Sequence, residues 1–120
     1  MARSPEWHIP VRQGLDFLPG PGGERFAAVF RHSSLDVEVY APRGHDDQTP
    51  HTRDEVYVVV SGTGMFVRDG ERVAFQPGDF LFVPAGLDHR FEDFSDDFVT
   101  WVLFYGPEGG EADTSGADAG

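Results

Sequence analysis

"GDFLFVPAGLDHRFED", residues 78–93, is the stretch from which the fold can be read. Residues 79–83 are mostly apolar, with two phenylalanines and a valine, the composition of a strand. Pro84 and Gly86 break that strand within three residues. A second short strand follows over residues 89–92, and its first residue is His89. A titratable ring is therefore fixed on rigid backbone, directly after a tight turn.

The rest of the chain follows the same pattern on both sides. Further strands are expected over residues 25–31, 35–40, 55–61, 64–68, 71–75 and 99–105. "RDGE" at 68–71 carries the Asp-Gly signal of a two-residue hairpin turn. "QPGD" at 76–79 and "SGTG" at 61–64 are two more turns. No window shows a helical period. Many short strands at this spacing predict an all-β single domain, a sandwich or a barrel. Residues 1–24, with the Gly/Pro loop "LPGPGGE", read as an irregular lead-in, and 25–105 as the β domain. Residues 106–120 are acidic, rich in Gly and Ala, and too poor in apolar side chains to offset their ordering entropy, so a disordered tail is expected.

Composition excludes several chemistries. The 120 residues suffice for one core. They include no cysteine, hence no thiolate nucleophile, disulfide or Cys-based zinc site. All nine basic residues are arginine, which removes lysine Schiff-base chemistry. A net charge of −12 is the wrong sign for a phosphate backbone, so no nucleic-acid partner is expected. "MARSPEWHIP" lacks an apolar signal-peptide core and no apolar run approaches a membrane span, so the expected setting is cytoplasmic, with no membrane partner.

A second stretch, "QTPHTRDEVYVVVSG" (48–62), places His51 and Glu55 at the entry of a strand built from Val56, Tyr57, Val58, Val59 and Val60. Both groups are costly to bury without partners. In a barrel of packed hairpins His51, Glu55 and His89 can converge at the mouth. Two imidazoles and a carboxylate form the facial set typical of Fe(II), and they also suit Zn, Ni, Mn or Co. A divalent ion would neutralise the carboxylate and use the imidazole lone pairs.

Taken together, the two stretches resemble the cupin superfamily at both of its signature motifs. The family's first motif is G-x5-H-x-H-x3-4-E-x6-G, and His51, Glu55 and Gly62 fit its later part. The second is G-x5-P-x-G-x2-H-x3-N, matched by Gly78, Pro84, Gly86 and His89, with Asp93 where the family has Asn. Chance occurrence of those four residues in a chain of this composition is about 0.005, low enough to take the match seriously. There are two departures. Thr49 stands where the family has its first histidine, and Gly44 lies one residue too far away, which implies a small insertion in "GHDDQTP".

The resemblance implies a jelly-roll β-barrel holding one divalent metal ion on His51, Glu55 and His89. It implies an enzyme that polarises an oxygen-bearing small-molecule substrate, or activates O2 if the metal is iron, as an oxygenase or as a non-redox isomerase, cyclase or lyase. Two readings compete with it: a cupin pocket without metal, its polar groups bonded to one another, and a non-catalytic small-molecule-binding or sensor cupin. His45, Asp46, Asp47 and Gln48 read as a solvated loop, with Gln48 the best candidate among them for a replacement ligand. Thr49 reads as a spectator or as a residue facing the open side of the ion. Tyr57, Phe91 and Trp101 are candidate pocket aromatics, and Arg90 a candidate for a substrate carboxylate. Sheet edges are a liability that proteins cover or pair. A homodimer is therefore expected, with "WHIPV" and residues 25–31 as candidate interface segments.

Overall fold

The computed structural model describes residues 6–46 and 48–112. One short helix, α1 (Val11–Leu15), precedes eight strands: β1 (Phe26–His32), β2 (Leu35–Tyr40), β3 (Asp54–Ser61), β4 (Gly64–Arg68), β5 (Glu71–Phe75), β6 (Phe80–Val83), β7 (His89–Glu92) and β8 (Val99–Tyr105). They form two antiparallel sheets, ordered β1-β2-β8-β3-β6 and β5-β4-β7. The strands fall within one or two residues of their expected places, because glycine, proline and aspartate mark the turns between them.

Strand parity fixes what faces inward. In β3, Glu55, Tyr57 and Val59 are buried while Val56 and Val58 are only half-buried on the opposite face. Tyr57 lies opposite Val102 of β8 and Leu81 of β6, so these share the inner face. Between the sheets, aromatic rings fill the core. Phe91 packs on Phe98 at 4.7 Å, on Phe66 at 4.9 Å and edge-on to Tyr57 at 4.9 Å. Each such ring contributes on the order of 2–3 kcal/mol of burial. Gly62 has φ +87°, and a Cβ there would lie 2.5 Å from the Phe98 backbone, so only glycine lets the loop after β3 pass this cluster.

β2 reverses the usual inside and outside. Its apolar face, Leu35, Val37 and Val39, turns outward, and Asp36, Glu38 and Tyr40 turn toward the interior, Glu38 standing opposite Val102. Val39 is nonetheless fully buried, because α1 lies over it. A Cβ on Gly14 would meet Val39 Cγ2 at 2.6 Å. Glycine costs about 1 kcal/mol inside a helix, and here that cost permits the close approach.

This helix corrects the reading of residues 1–24 as wholly irregular. A helix of five residues is little more than one turn, too short to display a period. Nor are the first residues after β8 loose. Gly109 N donates to Thr52 O at 2.6 Å and Glu111 N to the buried Asp54 Oδ2 at 2.8 Å. Backbone hydrogen bonds order this segment without any apolar anchor. The remainder of the expected tail, residues 113–120, lies outside the described residues.

β1 and β6 are the edges of the larger sheet, and Trp7 (81% exposed) and Phe26 (48%) are largely open to solvent.

Candidate metal centre

Three chain segments deliver one side chain each to a common point. Glu55, on β3, is 1% exposed and stands opposite Val83 of β6 and Phe104 of β8. His51 precedes the strand by one turn of chain, its ring edge-on to Phe104 at 4.9 Å. His89 opens β7 and is 2% exposed. Gly86 N donates to His51 O at 2.7 Å, so the turn that aims His89 is tied to the backbone of His51.

Distances define the cluster. His51 Nδ1 is 3.0 Å and His89 Nε2 3.1 Å from Glu55 Oε1, and the three donor atoms all lie within 4.8 Å of one another. Two donors about 2.1 Å from one ion at right angles stand about 3.0 Å apart, so the spacing fits a shared cation. The tautomer follows from neighbours. Leu87 O, 2.9 Å from His89 Nδ1, can only accept, so Nδ1 carries the proton and Nε2 presents its lone pair. Tyr57 OH lies 3.1 Å from that Nε2 but donates to Gln48 Oε1 at 2.8 Å. Gln48's amide cannot flip, because its Nε2 donates to the Asp46 carboxylate at 2.8 Å. While His89 is neutral, Nε2, the Tyr57 oxygen and the Glu55 carboxylate therefore face one another as acceptors, and a proton on Nε2 would bridge the ring to the carboxylate.

Glu55 Oε2 is buried and has no hydrogen-bond partner among the described residues. An ionised, buried oxygen without a partner is costly. A cation at this point would satisfy it together with both imidazoles. Burial would raise the Glu55 carboxyl, but hydrogen bonds with the His51 and His89 rings outweigh it and hold the pKa at about 2. Burial works against His89 protonation as well, yet the Glu55 carboxylate and the Leu87 carbonyl raise its pKa. Burial, and after it the Glu55 charge, keeps Tyr57 protonated well above its ordinary range. The site holds negative charge and recruits positive charge.

Around it sits a second set of hydrogen bonds centred on Asp46. Its carboxylate accepts from Tyr40 OH, Gln48 N and Nε2, and Phe91 N. Asp46 thereby locks Gln48, Gln48 orients Tyr57, and Tyr57 abuts His89. Beside His51 and Glu55 opens a cavity of about 720 Å³, whose wall includes Arg25, Glu38, Tyr40, Arg43, Thr49 and Phe104. The size suits a small organic ligand.

The cupin domain family matches residues 36–105, more than half of the chain. The chain is a cupin. It is 38% identical over 85 residues to an uncharacterized protein of Streptomyces coelicolor, spanning 69% of this chain and 81% of that one. It is also similar to acireductone dioxygenases. With that of Drosophila pseudoobscura pseudoobscura it shares 41% identity over 54 residues, 41% of this chain but only 29% of the enzyme's length. KdgF from Halomonas sp. has a similar fold, with a TM-score of 0.60, 21% identity, and coverage of 69% of this cupin and 78% of that structure.

The residues singled out from sequence divide by strand parity. His51, Glu55 and His89 come together, and Tyr57 reaches His89 directly. Gln48 does not point a free oxygen at the three donors, since Tyr57 occupies it, so it positions Tyr57. Thr49 is exposed on the cavity wall. Phe91 is core, 1% exposed, and does not line the cavity. Arg90, between two inward residues of β7, faces solvent and pairs with Glu92. Trp101 stands opposite Val58 on the outer face of β3 and β8. Neither lines the cavity, and nor does Tyr57, which is fully buried behind it in contact with His89.

Asp46 and Gln48 also correct the reading of loop 45–48 as simply solvated, because both fold inward onto the Tyr57–His89 pair; Asp47 lies outside the described residues. Glu38 was missed, although the alternation of "LDVEVY" carried its signal once the face of β2 is known.

Replacing Asp46 with asparagine keeps the shape but opposes an amide N–H to donors that now find an acceptor. Metal affinity measured by chelator competition is expected to fall about 10–100-fold, the usual cost of disturbing the groups behind metal ligands. Unchanged affinity in a folded Asp46→Asn protein would show that the Asp46–Gln48–Tyr57 chain does not tune the site.

Proposed function

We propose that this cupin is a metal-dependent enzyme acting on a small organic molecule held at an ion on His51, Glu55 and His89, within a jelly-roll barrel. The single observation that carries the reading is the buried Glu55 carboxylate, its Oε1 within 3.1 Å of two imidazole nitrogens and its Oε2 without a partner among the described residues, where His51 and Glu55 line a cavity. Bound there, a divalent ion would supply a Lewis acid for a carbonyl or enol oxygen and, if it is iron, redox chemistry with O2.

The chain's own residues contribute the rest. Leu87 O fixes the His89 tautomer, Tyr57 and Gln48 hold the His89 ring in place, and Phe104 supports the His51 ring. Glu38 presents a carboxyl to the cavity whose pKa is raised, first by burial, so it is suited to hold or deliver a proton near a bound substrate. The aromatic core below excludes water from one side of the donors. Similarity to acireductone dioxygenases, over 29% and 27% of the length of two of them, supports an oxygen-using reaction, without extending to their substrate.

Elemental analysis of purified protein, paired with oxygen uptake over a panel of small acids and phenols, tests the proposal. About one transition-metal ion per chain with uptake for some member supports an oxygenase; metal with substrate conversion but no uptake supports the non-redox branch. Protein that neither carries nor takes up a divalent ion on titration overturns it.

A further inference from the structure

The chain carries 21 acidic and nine basic residues, so an arginine without a carboxylate partner is informative. Arg31, Arg53, Arg72 and Arg90 each pair with an aspartate or glutamate. Arg12, Arg25, Arg43 and Arg68 do not, among the described residues, and of these four Arg25 and Arg43 line the cavity beside His51 and Glu55. Their placement is built into the backbone. Ala41 N donates to Arg25 O at 2.8 Å, which extends the β1–β2 ladder by one pair and sets residue 43 just beyond residue 25 at the same rim. Arg25 Nε donates to Ala41 O at 2.8 Å, which fixes the plane of its guanidinium. The Arg43 side chain has no hydrogen bond within the described residues.

Two like charges at one rim repel each other, and the pKa of Arg25 is lowered, first by burial and then by the charge on Arg43. A bound anion would relieve that repulsion. Planar guanidinium forks match a carboxylate in two parallel hydrogen bonds. The same wall also carries Glu24 and Glu38, which would oppose a second negative charge on the one group held between the arginines. That balance favours the monoanionic carboxylate over a phosphate dianion.

We propose that Arg25 and Arg43 form a carboxylate subsite, so that the ligands of this cavity are small organic acids. The carboxylate sits at the rim, and the remainder of the molecule reaches down toward His51, Glu55 and His89. The second half of this statement rests on the metal-enzyme reading above, while the subsite itself needs no ion.

Calorimetric titration with oxalate, malonate, succinate and glutarate, each against its neutral diamide, tests the subsite in metal-loaded and chelator-treated protein. At least one acid is expected to bind, with its diamide and the Arg43→Gln variant each weaker by about tenfold or more, the scale of a lost charge-assisted hydrogen bond. Arg25→Gln should weaken binding as well, and circular dichroism controls for the lost bond to Ala41. Dependence on Arg43 that persists after chelation supports the subsite even if elemental analysis defeats the metal reading. Three outcomes overturn it: no acid binding at millimolar concentration, equal binding of acid and diamide, or wild-type affinity in folded Arg43→Gln protein. Inorganic phosphate displacing the acids at lower concentration than they themselves require would overturn the choice of carboxylate.

Discussion

Changing His89 to alanine is expected to leave the protein without bound metal and to lower its stability by about 3–5 kcal/mol, the cost of stripping the partner from a buried charge. His89 is buried and its Nε2 lies 3.1 Å from Glu55 Oε1. Alanine removes that contact and leaves a carboxylate whose other oxygen already lacks a hydrogen bond. Of the three clustered groups, His51 and Glu55 would remain. Two donors at this spacing do not retain a divalent ion through dialysis. Two contributions can be separated, because the ion itself stabilises only the folded form, by about 2.7 kcal/mol at a hundred times its dissociation constant. Urea unfolding of wild type and variant, each with and without added metal, resolves them. The wild type should gain stability from metal and the His89→Ala protein should not. Metal content near one per chain in that variant would remove His89 from the site.

The sequence made the strands legible because their limits are chemical. Pro84, Gly86, Gly62 and the Asp69–Gly70 turn each stop a strand for a local reason, and local reasons survive in a one-dimensional string. His51, Glu55 and His89 were legible for the same reason: their spacing relative to those turns is fixed. What the string hides is which face of a strand meets the core. One residue of parity moves Arg90 and Trp101 to the outside while their neighbours His89 and Val102 point in. In β2 the apolar face is covered by α1, so the rule that apolar residues face the core selects the wrong side and conceals Glu38. Asp46 has no local signal at all. Its partners Tyr40 and Phe91 lie six and 45 residues away, and no periodicity links them.

Opposite responses to pH are expected from the metal-free and metal-loaded proteins. Without metal, Glu55 is held at about 2, below its ordinary 4.5. Its contribution to stability is therefore complete above 4.5 and is lost as pH falls toward 2. His89 is shifted the other way, above its ordinary 6.5, by the Glu55 carboxylate and Leu87 carbonyl acting against burial. Its contribution is complete below 6.5 and disappears as pH rises through the raised value. Metal-free protein should thus be most stable between those limits and weaken on the alkaline side. A metal ion needs the same His89 Nε2 without its proton, so binding expels that proton. Affinity should climb about tenfold per pH unit below the raised His89 pKa and level off above it. The difference in melting temperature between metal-loaded and chelator-treated protein should then be small near about pH 5.5 and large near about pH 8. Thermal melts of both forms across that range read this directly. A difference that stays constant with pH, or metal-free protein that grows more stable as pH rises past 6.5, would mean that proton and metal do not compete for His89.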